Sequence, residues 1–343
     1  MKNVLKVTFV IIGTLIGAGF ASGQEMYIFF YSYGLNGLFG LAISSVLMGI
    51  IIFKVLKMIE KYNLKNYKDF LDTIVNKSFK RKYFNLKNIF EIIINIFILI
   101  TFFIMIAGFG AYFEQSLGIN HFLGSAILAV LSFIVFLSSV KGLVKVNEIL
   151  IPILIGLICI VGILNFSHLN IIDFSNNLID NNSSNWFINA ILYCSYNSIL
   201  LIPSIIALNK YVNNKKENIA ITMLTVFIVL ILSIILFSIL ENVDTDISKV
   251  EMPVVYVVEK LFINLKYVYG FVIISSIFTT SISLGTSFLN NVCKNKNVFP
   301  QVAGIMCITA VGISNFGFAN LVNLLYPIFG YLGLVQIFYI IKQ

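Results

Sequence analysis

The sequence predicts an all-α membrane protein in which ten transmembrane helices form a single domain, arranged as two five-helix repeats of opposite orientation. Three observations predict it. Of 343 residues, 59% are hydrophobic and 11% charged, with a mean hydropathy of +0.97, a balance that no water-exposed globular surface tolerates. Apolar windows of about 20 residues, the length a helix needs to cross roughly 30 Å of hydrocarbon, recur along the whole chain. With ten spans the loops alternate sides, and all but three of the 23 Lys and Arg residues then fall on one of them, leaving Lys249, Lys260 and Lys266 on the other. Loops rich in Lys and Arg stay in the cytoplasm. Both termini are therefore expected there, in a multi-pass protein of the plasma membrane.

The windows lie at about 4–33, 36–56, 88–115, 122–140, 147–166, 186–209, 218–240, 267–291, 298–315 and 319–341. They divide residues 1–343 into a first repeat over about 1–166 and a second over about 185–343. Span one follows Lys2 and Lys6 as a signal peptide would, but its apolar run continues past Phe30 and no polar mature domain follows, so it is read as a retained helix. It holds Gly13, Gly17, Gly19 and Gly23 together with Ser22, Gln24 and Glu25. Each glycine costs a helix about 1 kcal/mol against alanine, so the cluster invites a break. Irregular backbone at membrane depth persists only where protein or a water-filled cavity surrounds it. Close packing through Gly13, Gly17 and Ala21 is the competing reading, and it leaves the neighbouring polar residues unexplained. Glu25 is the ionisable residue deepest in a span; proton coupling, cation coordination and a gate hydrogen bond are its functional readings, and satisfying neighbouring backbone groups is the structural one.

Between spans two and three, residues 57–87 interleave Lys65, Lys68, Lys77, Lys80, Arg81 and Lys82 with Tyr67, Phe70, Leu71 and Phe79. This is either a basic amphipathic segment on the anionic inner leaflet or a solvated positive loop. In span three, Tyr112 follows Gly108 and Gly110; it is a candidate substrate-facing phenol or an interfacial aromatic. Span six carries Asn189, Tyr193, Cys194, Ser195, Tyr196, Asn197 and Ser198 ahead of Pro203, a second polar interruption. Two five-helix halves of opposite orientation make spans one and six counterparts, and interruptions at corresponding positions mark a binding site. The acidic outer segment 241–264 contains a valine-rich run suited to a helix over a vestibule. Span eight offers Ser275, Ser276, Thr279, Thr280 and Ser283, hard oxygen ligands for Na⁺ alongside an unwound span one, or ordinary hydroxyls bonded to their own helix. The final apolar stretch, Asn297 to Ile341, would be about 67 Å long as one helix, so it must turn near Ser314-Asn315-Phe316-Gly317.

Other chemistries find no candidates. His121 and His168 stand apart, and Cys159, Cys194, Cys293 and Cys307 show no CxxC spacing, so no metal site, disulfide, cofactor or nucleophilic triad is expected. The formal net charge of +8 belongs to the loop lysines that orient a membrane protein rather than to a nucleic-acid surface.

The stretch Gly13 to Glu25, GTLIGAGFASGQE, followed by aromatic residues and Tyr33-Gly34-Leu35-Asn36-Gly37, resembles the YkvI-type bacterial membrane proteins, which are similar to the amino acid, polyamine and organocation transporter superfamily with its LeuT-like fold. The resemblance implies broken first and sixth helices, a central substrate site between them and cation-coupled uptake of a small solute. The implied substrate residues are Gly17, Gly19, Ala21, Ser22, Gly23 and Glu25 in span one, Tyr112, and Tyr193, Ser195 and Asn197 in span six. The implied ion ligands are Gly13, Ile16, Ser276, Thr279 and Thr280, with Na⁺ or H⁺ as coupling ion. A sensor or receptor that kept the transporter scaffold is the alternative expectation.

Overall fold

A computed structural model describes residues 2–65, 67–78, 84–138, 143–168, 185–212, 214–293, 295 and 297–342. Among the described residues, fourteen α-helices and three short 3₁₀ turns account for the regular structure, and there is no strand. Among the described residues, seven helical stretches are long and apolar enough to cross a membrane: Gln24–Tyr62, Asn88–Leu117, His121–Ser138, Trp186–Ala207, Lys215–Leu240, Lys266–Val292 and Phe318–Ile341. Three shorter apolar helices, Asn3–Leu15, Ile149–Asn165 and Phe299–Ser314, accompany them. Large apolar side chains turn outward, among them Phe39, Phe227 and Ile308, as lipid-facing helices require. Phe20, Phe97, Phe102, Phe237, Phe318 and Tyr269 are buried completely between helices.

The first span is broken as its glycines predict. Helix α1 (Lys2–Leu15) stops, Gly17 turns extended with ψ −176°, and a single turn, α2 (Ala18–Ala21), follows. A second interruption at Gly23, in the left-handed region at φ +85°, precedes α3 (Gln24–Phe29). Helix α4 (Gly34–Tyr62) then runs the length of the bundle. Gly37 lets it start against the preceding turn, since a Cβ there would collide with the Phe30 carbonyl oxygen.

Helix α5 (Tyr67–Ser78) is amphipathic as expected, but its apolar face does not lie on a membrane. Phe70, Leu71 and Ile74 are fully buried, and the Gln336 amide donates to the Tyr67 hydroxyl at 2.8 Å. Burying three large side chains against protein outweighs laying them on a leaflet, because the bundle offers a formed apolar groove. Residues 66 and 79–83 of the same basic stretch, with Lys80, Arg81 and Lys82, lie outside the described residues.

Helices α6 (Phe84–Leu117), α7 (His121–Ser138) and α8 (Leu143–Asn165) follow. Helix α9 (Trp186–Ala207) corrects the expectation of a broken sixth span: it is continuous. Three of its polar residues are satisfied within the helix. Ser195 donates to the Ile191 carbonyl at 2.7 Å, Asn197 to Tyr193 at 3.0 Å and Ser198 to Ser195 at 2.7 Å, so they neither need nor cause an unwound backbone. The helix is also closely packed, because Gly330 and Gly333 of α14 (Phe318–Ile341) sit directly on the Leu192 and Ser195 backbone.

Helix α10 (Lys215–Leu240) leads to α11 (Pro253–Leu261), the helix expected in the acidic segment, whose Val254, Val255, Val257 and Val258 face inward. Helix α12 (Lys266–Val292) packs along α6, and α13 (Phe299–Ser314) is joined to α14 by a turn through Gly317 at φ +83°. The chain therefore reverses where the length of the final apolar stretch demanded.

Candidate functional site

The break in the first span opens onto a cavity of about 770 Å³. Gly13, Thr14 and Gly17 form its inner end; Glu91 and Asn95 of α6, Ser204 of α9 and Thr280, Ser283, Ser287, Asn290 and Asn291 of α12 form its walls. Tyr67 and Lys68 of α5 stand at the rim. The cavity opens at the end of the bundle where α6 begins and α12 finishes, and Ser283, Ser287 and Asn290 are exposed to solvent there.

Its walls are richer in acceptors than residue names suggest. Thr14 donates to the Val10 carbonyl at 3.0 Å, Ser204 to Leu200 at 3.0 Å, Ser283 to Thr279 at 2.9 Å and Ser287 to Ser283 at 2.8 Å. A hydroxyl has one donor and two lone pairs, so each of these groups, its proton committed to its own helix, presents oxygen lone pairs to the cavity. The Gly17 backbone adds to this, because leaving the helical conformation deprives the carbonyls at the end of α1 of the amides that would continue the helix.

Beyond the break, away from the cavity, the span-one residues are built into a sealed plug. The Ser22 hydroxyl donates to the Gly19 carbonyl at 3.0 Å, and the Ser22 carbonyl accepts the Val254 N–H of α11 at 2.9 Å. The Tyr269 hydroxyl donates to the Ala21 carbonyl at 2.8 Å. Gly23 meets Leu240 and Val254 so closely that a side chain has no room. Glu25 is 4% exposed and accepts a hydrogen bond from the Tyr196 hydroxyl, while its carboxyl group lies against Gly19. Tyr196 stacks between Phe29 and Tyr326, with ring centroids at 5.4 and 4.7 Å, and Tyr193 meets Phe29 and Phe30 edge-on. Gln24 is fully buried, and neither atom of its amide has a partner. Further along, the Tyr31 hydroxyl donates to Glu241 at 2.9 Å, and Gln115 exchanges two hydrogen bonds with the Met252 backbone at 3.1 and 2.9 Å.

The predicted residues therefore separate into groups. Gly13, Gly17 and Thr280 meet at the cavity. Gly19, Ala21, Ser22, Gly23, Glu25 and Tyr193 form the plug. Ser195 and Asn197 turn their side chains back on α9, and the Tyr112 hydroxyl rests on Gly270 of α12. Gly13 also packs against Ile151 of α8, so both readings of that glycine hold. Ile16 is buried, its N–H bonded to the Ile12 carbonyl at 2.7 Å, and the Thr279 hydroxyl donates to the carbonyls of Ser275 and Ser276 at 3.0 and 3.2 Å. Sequence reasoning did not pick out Thr14, Glu91, Asn95, Ser204, Ser287, Asn290 and Asn291. The positions in α12 carried a signal, since residues 280, 283, 287 and 291 recur at helical spacing along one face.

No family model matches the chain. It is 30% identical to the membrane protein YkvI of Bacillus subtilis (strain 168) over 351 aligned residues, which cover 97% of this chain and 93% of that one. It is 25% identical to the protein YyaD of the same organism over 337 residues, 96% and 94% of the two chains. Among solved structures it is similar to two mutants of the manganese transporter of Eremococcus coleocola, with TM-scores of 0.63 and 0.62. Each is 14% identical and covers 96% of this chain and 76% of the transporter. The fold is thus shared with that manganese transporter. Sequence identity over nearly the full length of both chains carries the closer relation: the chain belongs to the YkvI family of membrane proteins.

Proposed function

We propose that this protein is a secondary active transporter that takes up a small organic solute rich in N–H donors, an amine or amino acid, coupled to Na⁺ or H⁺. The observation that carries the proposal is the acceptor-lined cavity ending at the break in the first span. Discontinuous helices at mid-membrane are where such carriers hold solute and ion, and lone pairs on Thr14, Ser204, Ser283 and Ser287 favour a donor over an anion. The manganese transporters share the fold, but transition-metal cargo needs soft or anionic ligands brought together. Among the described residues, no group of three or more His, Cys, Asp or Glu side chains converges.

In this reading the seven long and three shorter apolar helices make ten crossings, arranged as an inverted five-plus-five repeat in one domain, with both termini in the cytoplasm. The cavity is then the inward-facing vestibule, and the plug around Glu25 closes the outer side. Gly17, Gly19, Ala21, Ser22, Gly23, Glu25, Tyr112, Tyr193, Ser195 and Asn197 contact solute at some stage of the cycle. Gly13, Ile16, Ser276, Thr279 and Thr280 hold the ion. Glu25, reached only once the plug opens, links proton or cation occupancy to that opening.

Purified protein in proteoliposomes tests this. A panel of amino acids and amines is offered with and without Na⁺, and at mildly acidic and mildly alkaline internal pH, to wild type and Glu25→Gln. Accumulation that follows one ion gradient and disappears in the variant is expected. Binding without flux would favour a receptor on the same scaffold, and flux indifferent to both gradients would rule out coupling.

A further inference from the structure

Helix α4 changes character along one face. Phe39, Val46 and Ile50 are outward-facing and exposed, and the same face ends in Lys54, Lys57 and Lys61, three to four residues apart. A helix of 29 residues is about 44 Å long. That exceeds the roughly 30 Å of hydrocarbon, so the lysine turns stand at headgroup level while the apolar part of the face lies among acyl chains.

Here the surface is hollowed. A groove of about 250 Å³ is lined by Ile50, Phe53, Met58, Tyr62 and Ile340 together with the three lysines. Lys54 is anchored at one wall, its ammonium donating to the Ile340 carbonyl of α14 at 3.4 Å and also to that of Ile341. Lys57 and Lys61 are exposed, and the Lys61 ammonium lies 5.3 Å from the Tyr62 ring centroid. Glu60, the neighbouring carboxylate on this helix, is turned away and accepts from Asn218 of α10 at 2.8 Å.

The geometry points to a binding site for one anionic phospholipid, with its phosphate between Lys57 and Lys61 and an acyl chain along Ile50 and Phe53. Three cations beside an apolar groove at the depth of the lipid phosphates complement this ligand in both charge and shape. A plain array of loop lysines would give charge alone.

The test uses the full chain purified in a zwitterionic detergent, with bound lipid counted by native mass spectrometry and the thermal midpoint followed. Wild type is expected to retain phosphatidylglycerol in preference to phosphatidylcholine and to gain a higher midpoint from it. Lys57→Gln with Lys61→Gln should weaken that retention by roughly tenfold, Lys57→Arg with Lys61→Arg should keep it, and Lys215→Gln with Lys216→Gln on α10 should leave it unchanged. Equal losses in the α10 pair would reduce the effect to general charge and overturn the site. Inorganic phosphate protecting as well as phosphatidylglycerol would make it a soluble-anion site, and equal retention of both lipids would leave only an apolar groove; either result also overturns the proposal.

Discussion

Gly17 and Gly23, both in the first span, respond in opposite ways to a side chain. At Gly23 the left-handed backbone and the closeness of Leu240 and Val254 both exclude a Cβ, and the conformation alone costs an L-residue about 1–2 kcal/mol. Gly23→Ala should therefore lower the thermal midpoint in detergent. At Gly17 the φ of −84° suits any residue, and a Cβ would meet nothing within 4 Å. Gly17→Ala should fold as well as wild type while losing solute binding, since alanine favours helix at the break by about 1 kcal/mol and projects into the cavity. Tyr196→Phe tests the plug: it strands the buried Glu25 carboxyl without its donor, and an unsatisfied buried acceptor costs about 1–3 kcal/mol. The measurement is the midpoint of Tyr196→Phe alone and combined with Glu25→Gln, where coupling between the two changes is expected. The glycines made the break legible in the sequence. The continuity of α9 was not, because a buried serine reads the same whether its hydroxyl serves a ligand or, like Ser195, its own helix.

Two helices outside the main spans show what an element's pattern conveys. For α5 the sequence states which face is apolar but not what covers it, and the answer is the bundle rather than lipid. Phe70→Ala should consequently cost about 3–5 kcal/mol in unfolding, whereas a helix merely resting on a leaflet would show no change in detergent. Helix α11 bonds its Val254 amide to the Ser22 carbonyl of the plug, so the acidic segment around it should pass its titration to the plug. The Asp244 carboxyl is held below its ordinary value by hydrogen bonds from Lys260 and Tyr256; its contribution is present at neutral pH and lost as pH falls through the folded value. Glu251 runs the other way. Burial raises its pKa, opposed by the Ala319 N–H that it accepts at 2.6 Å, so its folded form is favoured at low pH and that advantage fades as pH rises through the raised value. Thermal midpoints across pH should show less loss above the ordinary carboxylate range in Glu251→Gln than in wild type, and a weaker acid-side fall in Asp244→Asn.

For the whole molecule, the distribution of lysines predicts sidedness more sharply than any single helix does. Cysteines introduced at Lys216 and Lys249, in a background lacking the four native ones, should label with impermeant reagents from opposite faces of sealed vesicles. Labelling from the same face would break the alternation on which the ten crossings rest. Composition and loop charge made the membrane architecture legible. The cavity was only partly so, because its walls come from α1, α6, α9 and α12, residues far apart in sequence that only tertiary packing brings together.

The polar face of α12 carries one further consequence. Thr280, Ser283, Ser287 and Asn291 follow one another at about one turn each, some 5 Å apart, from the break to open water. In the proposed transport cycle, a departing solute can pass down such a staircase by trading one hydrogen bond for the next, without any step at which it stands bare against hydrocarbon. Exit on this side should then be quick and weakly selective, leaving discrimination between solutes to the opposite, plugged side.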